Sequence, residues 1–188
     1  DHDTLLAVFW DEWRDRGEEA EIRLGKKEDI NTVGKMADRI LTAFVESDIA
    51  KPEGRILGIE EQLRGELIPG VPDLLARIDL IVETDETLTV TDLKTSRSRW
   101  SANQADDSGE QLLLYSELAR HLAPDKTLRL EFAVVTKTAK PTVERWTVAN
   151  NANRIARTKQ IIRRVWKSIE SGNFFPAPSP ISCGGCPF

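Results

Sequence analysis

The sequence has few of the residues and patterns that would assign it to a special class of protein. Only two of its 188 residues are cysteines, Cys183 and Cys186, and both lie in the last six positions, which excludes a disulfide framework. No run approaches the roughly 18 to 20 consecutive apolar residues of a membrane helix, and the first residues form no signal peptide. With 40% hydrophobic and 30% charged residues, the chain is not of a disordered class. We expect a soluble, cytoplasmic protein with one core and no membrane association.

The net charge of −5 is unevenly distributed along the chain. Residues 1–48 contain 13 acidic and 7 basic side chains, a balance of −6, so residues 49–188 together carry +1. Between positions 154 and 167 there are six basic residues and no acidic one: Arg154, Arg157, Lys159, Arg163, Arg164 and Lys167. Such a stripe is either a solvated helix face or, beside a nucleic-acid site, a source of sequence-independent attraction for phosphates.

Apolar periodicity predicts helices at both ends of the chain and strands between them. Helices are expected over 4–24, 31–47, 109–122 and 150–171, and strands over 55–67, 74–82, 88–93, 128–135 and 142–148. The strand over 128–135 is almost entirely apolar, which is typical of an internal strand. The polar residues 95–108 are predicted to form a surface loop. Together the elements predict an α/β fold in which helices flank a mixed central β-sheet.

The two strands joined by Asp85-Glu86 carry the clearest hairpin signal. A two-residue turn at these positions pairs residues whose numbers sum to 171, which places Asp79 opposite Asp92. Opposed residues share one face of a sheet, and the period of two returns Lys94 to that face. Facing carboxylates repel each other unless a divalent cation such as Mg²⁺ or Mn²⁺, or the Lys94 ammonium, compensates them. Exposure of either aspartate at a strand end is the alternative, and a register shift of one residue would abolish the pairing.

Four segments in order resemble a known family. Gly58-Ile59-Glu60, Ala76-Arg77-Ile78-Asp79, Thr91-Asp92-Leu93-Lys94-Thr95 and Gln111-Leu112-Leu113-Leu114-Tyr115 are similar to motifs of the PD-(D/E)XK nucleases, in their RecB-like branch with its CRISPR-associated exonucleases. The resemblance is close over residues 55–120. It implies a restriction-endonuclease-like nuclease core over 51–172, preceded by an N-terminal helical region (1–50) and followed by a cysteine-containing tail (173–188), within one compact domain.

The resemblance implies a role for each matching residue at the metal site. Asp79 and Asp92 would ligate Mg²⁺ or Mn²⁺ together with the backbone carbonyl of Leu93, and Lys94 would position and polarise the attacking water. Glu60 would be a further acidic group near the metal, with the adjacent Glu61 as the alternative because only one of the two can face the site. The metal would lower the pKa of bound water and neutralise charge on the phosphate.

Other matching residues are implied to contact the substrate. Gln111 and Tyr115 match the family's Gln-x-x-x-Tyr element, and their spacing puts both on one helix face, although ordinary helix packing explains the same spacing. Arg97, Arg99 and Trp100 follow the strand that carries Asp92, and they could bind phosphates and stack on a base. A solvated loop with one buried tryptophan is the alternative.

Two features of the family are incomplete in this sequence. An upstream helical histidine is usual among the relatives, whereas Gly34-x-x-x-Asp38 offers an aspartate, which is more typical of a solvent-facing helix residue. The tail resembles that of relatives with a [4Fe-4S] cluster, but Cys183 and Cys186 supply two of the four thiolates that a complete cluster needs. A longer natural chain, loss of the cluster, free thiols and adventitious zinc all stay open.

The resemblance thus implies a metal-dependent DNA nuclease, most simply an exonuclease that leaves 5′-phosphates, in recombination, repair, phage or CRISPR-related processing. Its substrate would be DNA that is single-stranded or has free ends, and a helicase, recombination or CRISPR protein could be its partner. The first alternative is a catalytically inactive nucleic-acid-binding module or a subunit of a helicase-nuclease complex. The second is a structural Cys-x-x-Cys protein with an incidental hairpin.

Overall fold

A computed structural model describes residues 1–19, 22, 24–26 and 28–174. In chain order its elements are α1 (His2–Glu19), α2 (Ile30–Glu46), β1 (Arg55–Gly65), β2 (Leu74–Glu83), β3 (Thr87–Ser96), α3 (Ala102–Asp107), α4 (Glu110–Ala119) with a following 3₁₀ turn (Arg120–Leu122), β4 (Thr127–Thr136), β5 (Val143–Val148) and α5 (Ala152–Glu170). Within these ranges no helix is both long and apolar enough to cross a bilayer. Cys183 and Cys186 lie outside the described residues.

The strands form one mixed five-stranded sheet in the order β1-β2-β3-β4-β5. Neighbouring strands are antiparallel except for β3 and β4, which are parallel and are connected through α3 and α4. β4 has a hydrogen-bonded neighbour on each side, which confirms its prediction as an internal strand. The predicted α/β fold with helices flanking a mixed sheet is confirmed.

Strand alternation divides the sheet into two faces with different coverings. On the first, called the α4 face, Val90 and Phe132 pack with Leu112 and Leu113 of α4 in the main hydrophobic core. On the second, called the α2 face, α2 packs against β4. Residues one position apart on β3 and β4 therefore lie on opposite faces, and this separation decides what surrounds each polar side chain.

The two N-terminal helices pack against each other. α2 begins with a capping box in which Asp29 accepts from the Thr32 N–H at 2.7 Å and the Thr32 hydroxyl oxygen accepts from the Asp29 N–H at 2.7 Å. The ring of Trp10 on α1 lies over Gly34, where an added Cβ would stand 2.7 Å from a ring carbon. Glycine at this position thus permits the close approach of α1 to α2.

Two predicted boundaries differ from the structure. α1 ends at Glu19, and neither Ile22 nor Leu24 is helical, so the predicted extension to residue 24 is wrong. The segment expected to be a loop contains the short helix α3, whose first N–H groups are satisfied when the Ser101 side chain accepts from the Gln104 N–H at 3.2 Å. β1 also contains a β-bulge between Ile56 and Gly58.

Candidate active site

The β2–β3 hairpin has the predicted register. Its paired residues include Leu80 with Thr91, whose numbers sum to 171 as the two-residue turn requires. This pair is the last one between the two strands, and one position beyond it lie Asp79 and Asp92. The two aspartates therefore stand where β2 and β3 begin to part.

Asp79 takes the place of a backbone partner at this point. Its Oδ2 accepts a hydrogen bond of 2.6 Å from the backbone N–H of Leu93, two residues beyond the last paired residue of β3. In an extended strand the N–H and C=O of one residue point to the same side, so the Leu93 carbonyl also faces the side of Asp79. A carboxylate and a carbonyl oxygen thus meet at the predicted metal site.

Asp92 is a buried carboxylate with a nearby ammonium group. It is 3% exposed, and Lys94, which shares its face of β3, places Nζ 2.6 Å from Asp92 Oδ2. This contact is an ion pair between the Lys94 ammonium and the buried carboxylate. Burial raises the pKa of the Asp92 carboxyl, the Lys94 ammonium opposes that rise, and the negative charge of Asp79 adds to it.

These donors fit a hard divalent cation. Two carboxylates and a backbone carbonyl are oxygen ligands of the kind that Mg²⁺ and Mn²⁺ prefer, and Mg²⁺ is commonly bound by one or two carboxylates together with waters and phosphate oxygens. Across the described ranges no three His, Cys, Asp or Glu side chains are grouped closely enough to hold a metal. Waters and substrate oxygens would therefore complete the coordination shell.

Glu60 lies between Ile59 and Glu61 of β1, whose partners on β2, Leu80 and Ile78, flank Asp79. The Glu60 carboxylate contacts the guanidinium of Arg77, and the Glu60 φ of +53° lies in the left-handed region. Glu61 extends over Gly58, where an added Cβ would lie 2.8 Å from the Glu61 Cβ, and Gly58 pairs with Ile81 of the main core. Glu61 itself pairs with Ile78, also of the main core, and paired residues share a face, so Glu61 lies on the α4 face, with Asp92. The role of Glu60 near a metal stays a prediction, and the face that Glu61 occupies keeps it as the alternative.

Gln111 and Tyr115 lie together on α4, which packs against β1 to β4. The Gln111 amide donates to the Tyr115 hydroxyl oxygen, Gln111 is exposed, and Tyr115 is half-buried against the main core. Helix packing thus accounts for the Tyr115 ring, while the polar ends of the pair remain near the surface.

The residues that follow β3 have mixed surroundings. Trp100 packs against Phe132 with ring centroids 5.2 Å apart, which favours the buried tryptophan over a base-stacking one. Arg99 forms an ion pair with Glu144, with Nε 2.7 Å from Oε1. Arg97 is exposed, so of the three residues it is the one best placed to contact a phosphate.

The basic stripe on α5 is divided between two tasks. Arg154 pairs with Asp106 and Glu110, and Lys159 lies 2.6 Å from a carboxylate oxygen of Glu117. These contacts fasten α5 to α3 and α4. The other four basic side chains are exposed: Arg157, Arg163, Arg164 and Lys167.

Sequence reasoning missed a buried glutamate of β4 that lies on the α2 face and pairs with Thr91 of β3. Glu131 is fully buried; the Thr91 hydroxyl donates to its Oε1 at 3.0 Å, Arg145 donates to the same oxygen, and Arg129 Nε lies 3.2 Å from Oε2. Arg145 also reaches Asp48, beyond the end of α2, at 3.0 Å. The available signal was one acidic residue inside an apolar strand. We call Glu131, Thr91, Arg129 and Arg145 the Glu131 cluster.

Asp38 of α2 contacts a residue of α1. The N-terminal histidine, His2, places Nε2 3.1 Å from Asp38 Oδ1, so this aspartate contributes to the contact between α1 and α2. Its carboxylate and its main-chain carbonyl both raise the pKa of the His2 ring, after the larger effect of Asp3. Asp38 is exposed on α2, as expected for a solvent-facing helix residue.

Fold and site together define an α/β protein with two carboxylates and a lysine gathered where two strands of a mixed sheet part. The chain belongs to the PD-(D/E)XK nuclease superfamily, whose family model matches residues 1–188. Membership of this superfamily implies a nucleic-acid substrate, and its members generally use divalent metals.

A solved structure supports the fold. A crystal structure from Eubacterium rectale, named as a candidate exonuclease, aligns with a TM-score of 0.60 and 15% identity, over 99% of this chain and 77% of that one. At this identity the likeness shows the fold alone. The structure of SSO0001 aligns with a TM-score of 0.42 and 16% identity, over 84% of this chain and 77% of that one. No curated protein matches the sequence significantly.

Proposed function

We propose that the protein is a metal-dependent DNA nuclease of the RecB-like branch, acting as an exonuclease that leaves 5′-phosphates. The observation that carries this proposal is the gathering of Asp79, Asp92 and Lys94 at one point of the sheet, in a chain of a nuclease superfamily. Two neighbouring carboxylates, one of them buried, are unfavourable for stability alone, and arrangements of this kind cluster at functional sites.

Each of the three residues has a task in phosphodiester hydrolysis. Asp79, Asp92 and the Leu93 carbonyl would hold a Mg²⁺ or Mn²⁺ ion, which when bound supplies a water of lowered pKa and positive charge beside the phosphate. Lys94, 2.6 Å from Asp92, would orient that water and donate to the phosphate oxygens as negative charge develops. Attack on phosphorus breaks the bond to the 3′-oxygen, which leaves as a hydroxyl, and the new oxygen stays on the 5′-phosphate.

Exposed polar residues beside the site would hold the nucleic acid. Arg97 follows β3 directly, and Gln111 lies on the helix that covers the α4 face. Guanidinium and amide groups bind phosphate and sugar without reading sequence. We propose DNA with free ends or single-stranded character as the substrate, with a helicase, recombination or CRISPR protein as partner.

A catalytically inactive nucleic-acid-binding module is the second candidate. The contact of Glu60 with Arg77 favours it, because that contact occupies the additional acidic group expected near the metal. If Glu61 does not serve in that place, the site would bind metal weakly and turnover would be lost while DNA binding persisted.

The proposal is tested with end-labelled single-stranded and double-stranded DNA in the presence of Mg²⁺, Mn²⁺ or EDTA. We expect degradation with either metal and none with EDTA. Asp92→Asn should abolish it, and Lys94→Met should slow it about 100-fold or more, as for loss of one group that stabilises transition-state charge. Asp85→Asn, the same change in the exposed turn of the same hairpin, is the matched control and should cut normally.

Either of two results would contradict the nuclease proposal. One is a folded wild-type protein that binds DNA but cuts it with neither metal, which would favour the binding module. The other is cutting that survives Asp92→Asn undiminished, which would place the activity elsewhere or in a contaminant.

A further inference from the structure

The C-terminal half of α5 presents an apolar stripe to its surroundings. Ile161, Val165 and Ile169 are 51%, 53% and 44% exposed, and their spacing of four aligns them along one side of the helix. Single exposed hydrophobic residues are ordinary, whereas a contiguous exposed set marks a surface that another segment covers.

A groove runs beside this stripe. It has a volume of about 330 Å³, and its apolar walls come from the segment before β2 and from α5: Val71, Pro72, Leu74, Ile161, Ile162, Val165, Trp166 and Ile169. An adjoining cavity of about 270 Å³ shares Val165 and Ile169 and is lined also by Phe174, which is 78% exposed. Phe174 is the last described residue, so the groove opens at the point where residues 175–188 begin.

We propose that residues 175–188 of this chain dock into the groove. The segment reads FPAPSPISCGGCPF and contains no charged residue, so its burial desolvates no ionised side chain. Phe175, Ile181 and Phe188 offer large apolar side chains to an apolar wall. The four prolines of the segment restrict its backbone and lower the entropy lost when it is ordered.

The segment is long enough to cover the stripe. Eight residues of helix separate Ile161 from Ile169, a span of about 12 Å. Fourteen residues in an extended conformation reach about 46 Å. Less than half of the segment therefore suffices to run from Phe174 along the whole stripe.

A second copy of the chain is a less suitable occupant. Arg163, Arg164 and Lys167 are exposed on the same part of α5 as the stripe. In a two-fold contact each patch meets itself, so these cations would face their own copies in the partner. Like charges brought together in this way oppose association, whereas an uncharged tail meets no such penalty.

The full chain offers a direct test, because Cys183 and Cys186 are its only cysteines and both lie in the proposed docking segment. A nitroxide label attached to them should broaden the methyl signals of Ile161 and Ile169 strongly. The methyl signals of Val8, on α1 and 52% exposed, serve as the reference and should be broadened less.

Matched variants of the labelled chain separate docking from a general effect. Val165→Asp puts a charge into the groove at a half-exposed position that the fold tolerates, and it should remove the excess broadening. Gln160→Asp adds the same charge at another exposed position of α5 and should leave the broadening unchanged. Ile181→Asp in the tail should act like Val165→Asp.

Two results would overturn the proposal. The first is broadening of Ile161 and Ile169 no greater than that of Val8. The second is broadening that appears in a mixture of spin-labelled chains with isotope-labelled chains lacking the nitroxide, since a signal between molecules would make a second copy the occupant. Neither readout depends on nuclease activity.

Discussion

Replacing Glu131 by glutamine removes one buried negative charge while almost keeping the side-chain shape. Glu131 is 0% exposed and contacts Thr91, Arg129 and Arg145. Breaking a buried ion pair from one side costs about 3–5 kcal/mol, because the remaining charge is left uncompensated. Here the Arg129 side chain is 50% exposed, and Arg145, 29% exposed, keeps Asp48 at 3.0 Å. We therefore expect the lower end of that range, about 3 kcal/mol.

Urea unfolding followed by tryptophan fluorescence measures this loss. In a chain of this size about 3 kcal/mol corresponds to a fall in Tm of about 6–12 °C. Thr91→Val deletes only the hydroxyl that donates to Glu131, and it should cost about 1 kcal/mol. The cost of the double variant should differ from the sum of the two single changes, because Thr91 and Glu131 are in direct contact.

The exposed turn supplies the matched control. Glu86→Gln makes the same chemical change at an exposed position, and it should alter the free energy of unfolding by less than about 0.5 kcal/mol. If Glu131→Gln is as mild as this control, or stabilises the protein, the expected contribution of the buried Glu131 charge to stability is wrong.

Three further predictions concern the Asp92 carboxyl, the binding of a divalent metal and the contact between α1 and α2. Burial raises the pKa of the Asp92 carboxyl above its unfolded value, so the contribution of this group to stability is present at low pH and is lost as the pH rises. Asp92→Asn should therefore stabilise the metal-free protein at pH 7, and urea unfolding should find no such gain below about pH 4. Destabilisation at pH 7 would contradict this prediction. Mg²⁺ or Mn²⁺ at about 100 times its Kd should stabilise the wild type by about 2.7 kcal/mol in thermal unfolding and leave Asp92→Asn unmoved. Gly34→Ala, with its Cβ 2.7 Å from the Trp10 ring, should loosen α1 from α2 and shift tryptophan emission, and an unchanged spectrum would refute the contact.

The register of the β2–β3 hairpin could be read from the sequence because it depends on local chemistry. A two-residue turn between alternating strands fixes every pair that follows, and the observed pairing of Leu80 with Thr91 obeys the predicted sum. The position of Asp92 and Lys94 on one face followed from the same period of two. Local periodicity also located the long helices and the internal strand β4.

The remaining features depend on backbone irregularities and tertiary contacts that local periodicity does not contain. The β-bulge after Ile56 and the left-handed backbone at Glu60 decide which of Glu60 and Glu61 faces the site, and neither irregularity is visible as periodicity. The packing of Trp100 on Phe132 joins residues 32 positions apart in the chain. Glu131 was missed because Thr91 and Arg145 become its neighbours only when β4 pairs with β3 and with β5.

The parting of β2 and β3 explains why an aspartate can occupy position 79 at all. Where the strands separate, the Leu93 N–H has no backbone partner on β2. The Asp79 carboxylate accepts that hydrogen bond at 2.6 Å, while Asp92 has the Lys94 ammonium at 2.6 Å. Each negative charge thus has a partner of its own on β3, so the two carboxylates can stand near each other in the folded chain before any cation arrives. The same irregularity therefore creates the space between the strands, the donor that holds Asp79, and the oxygen atoms that a metal would find there.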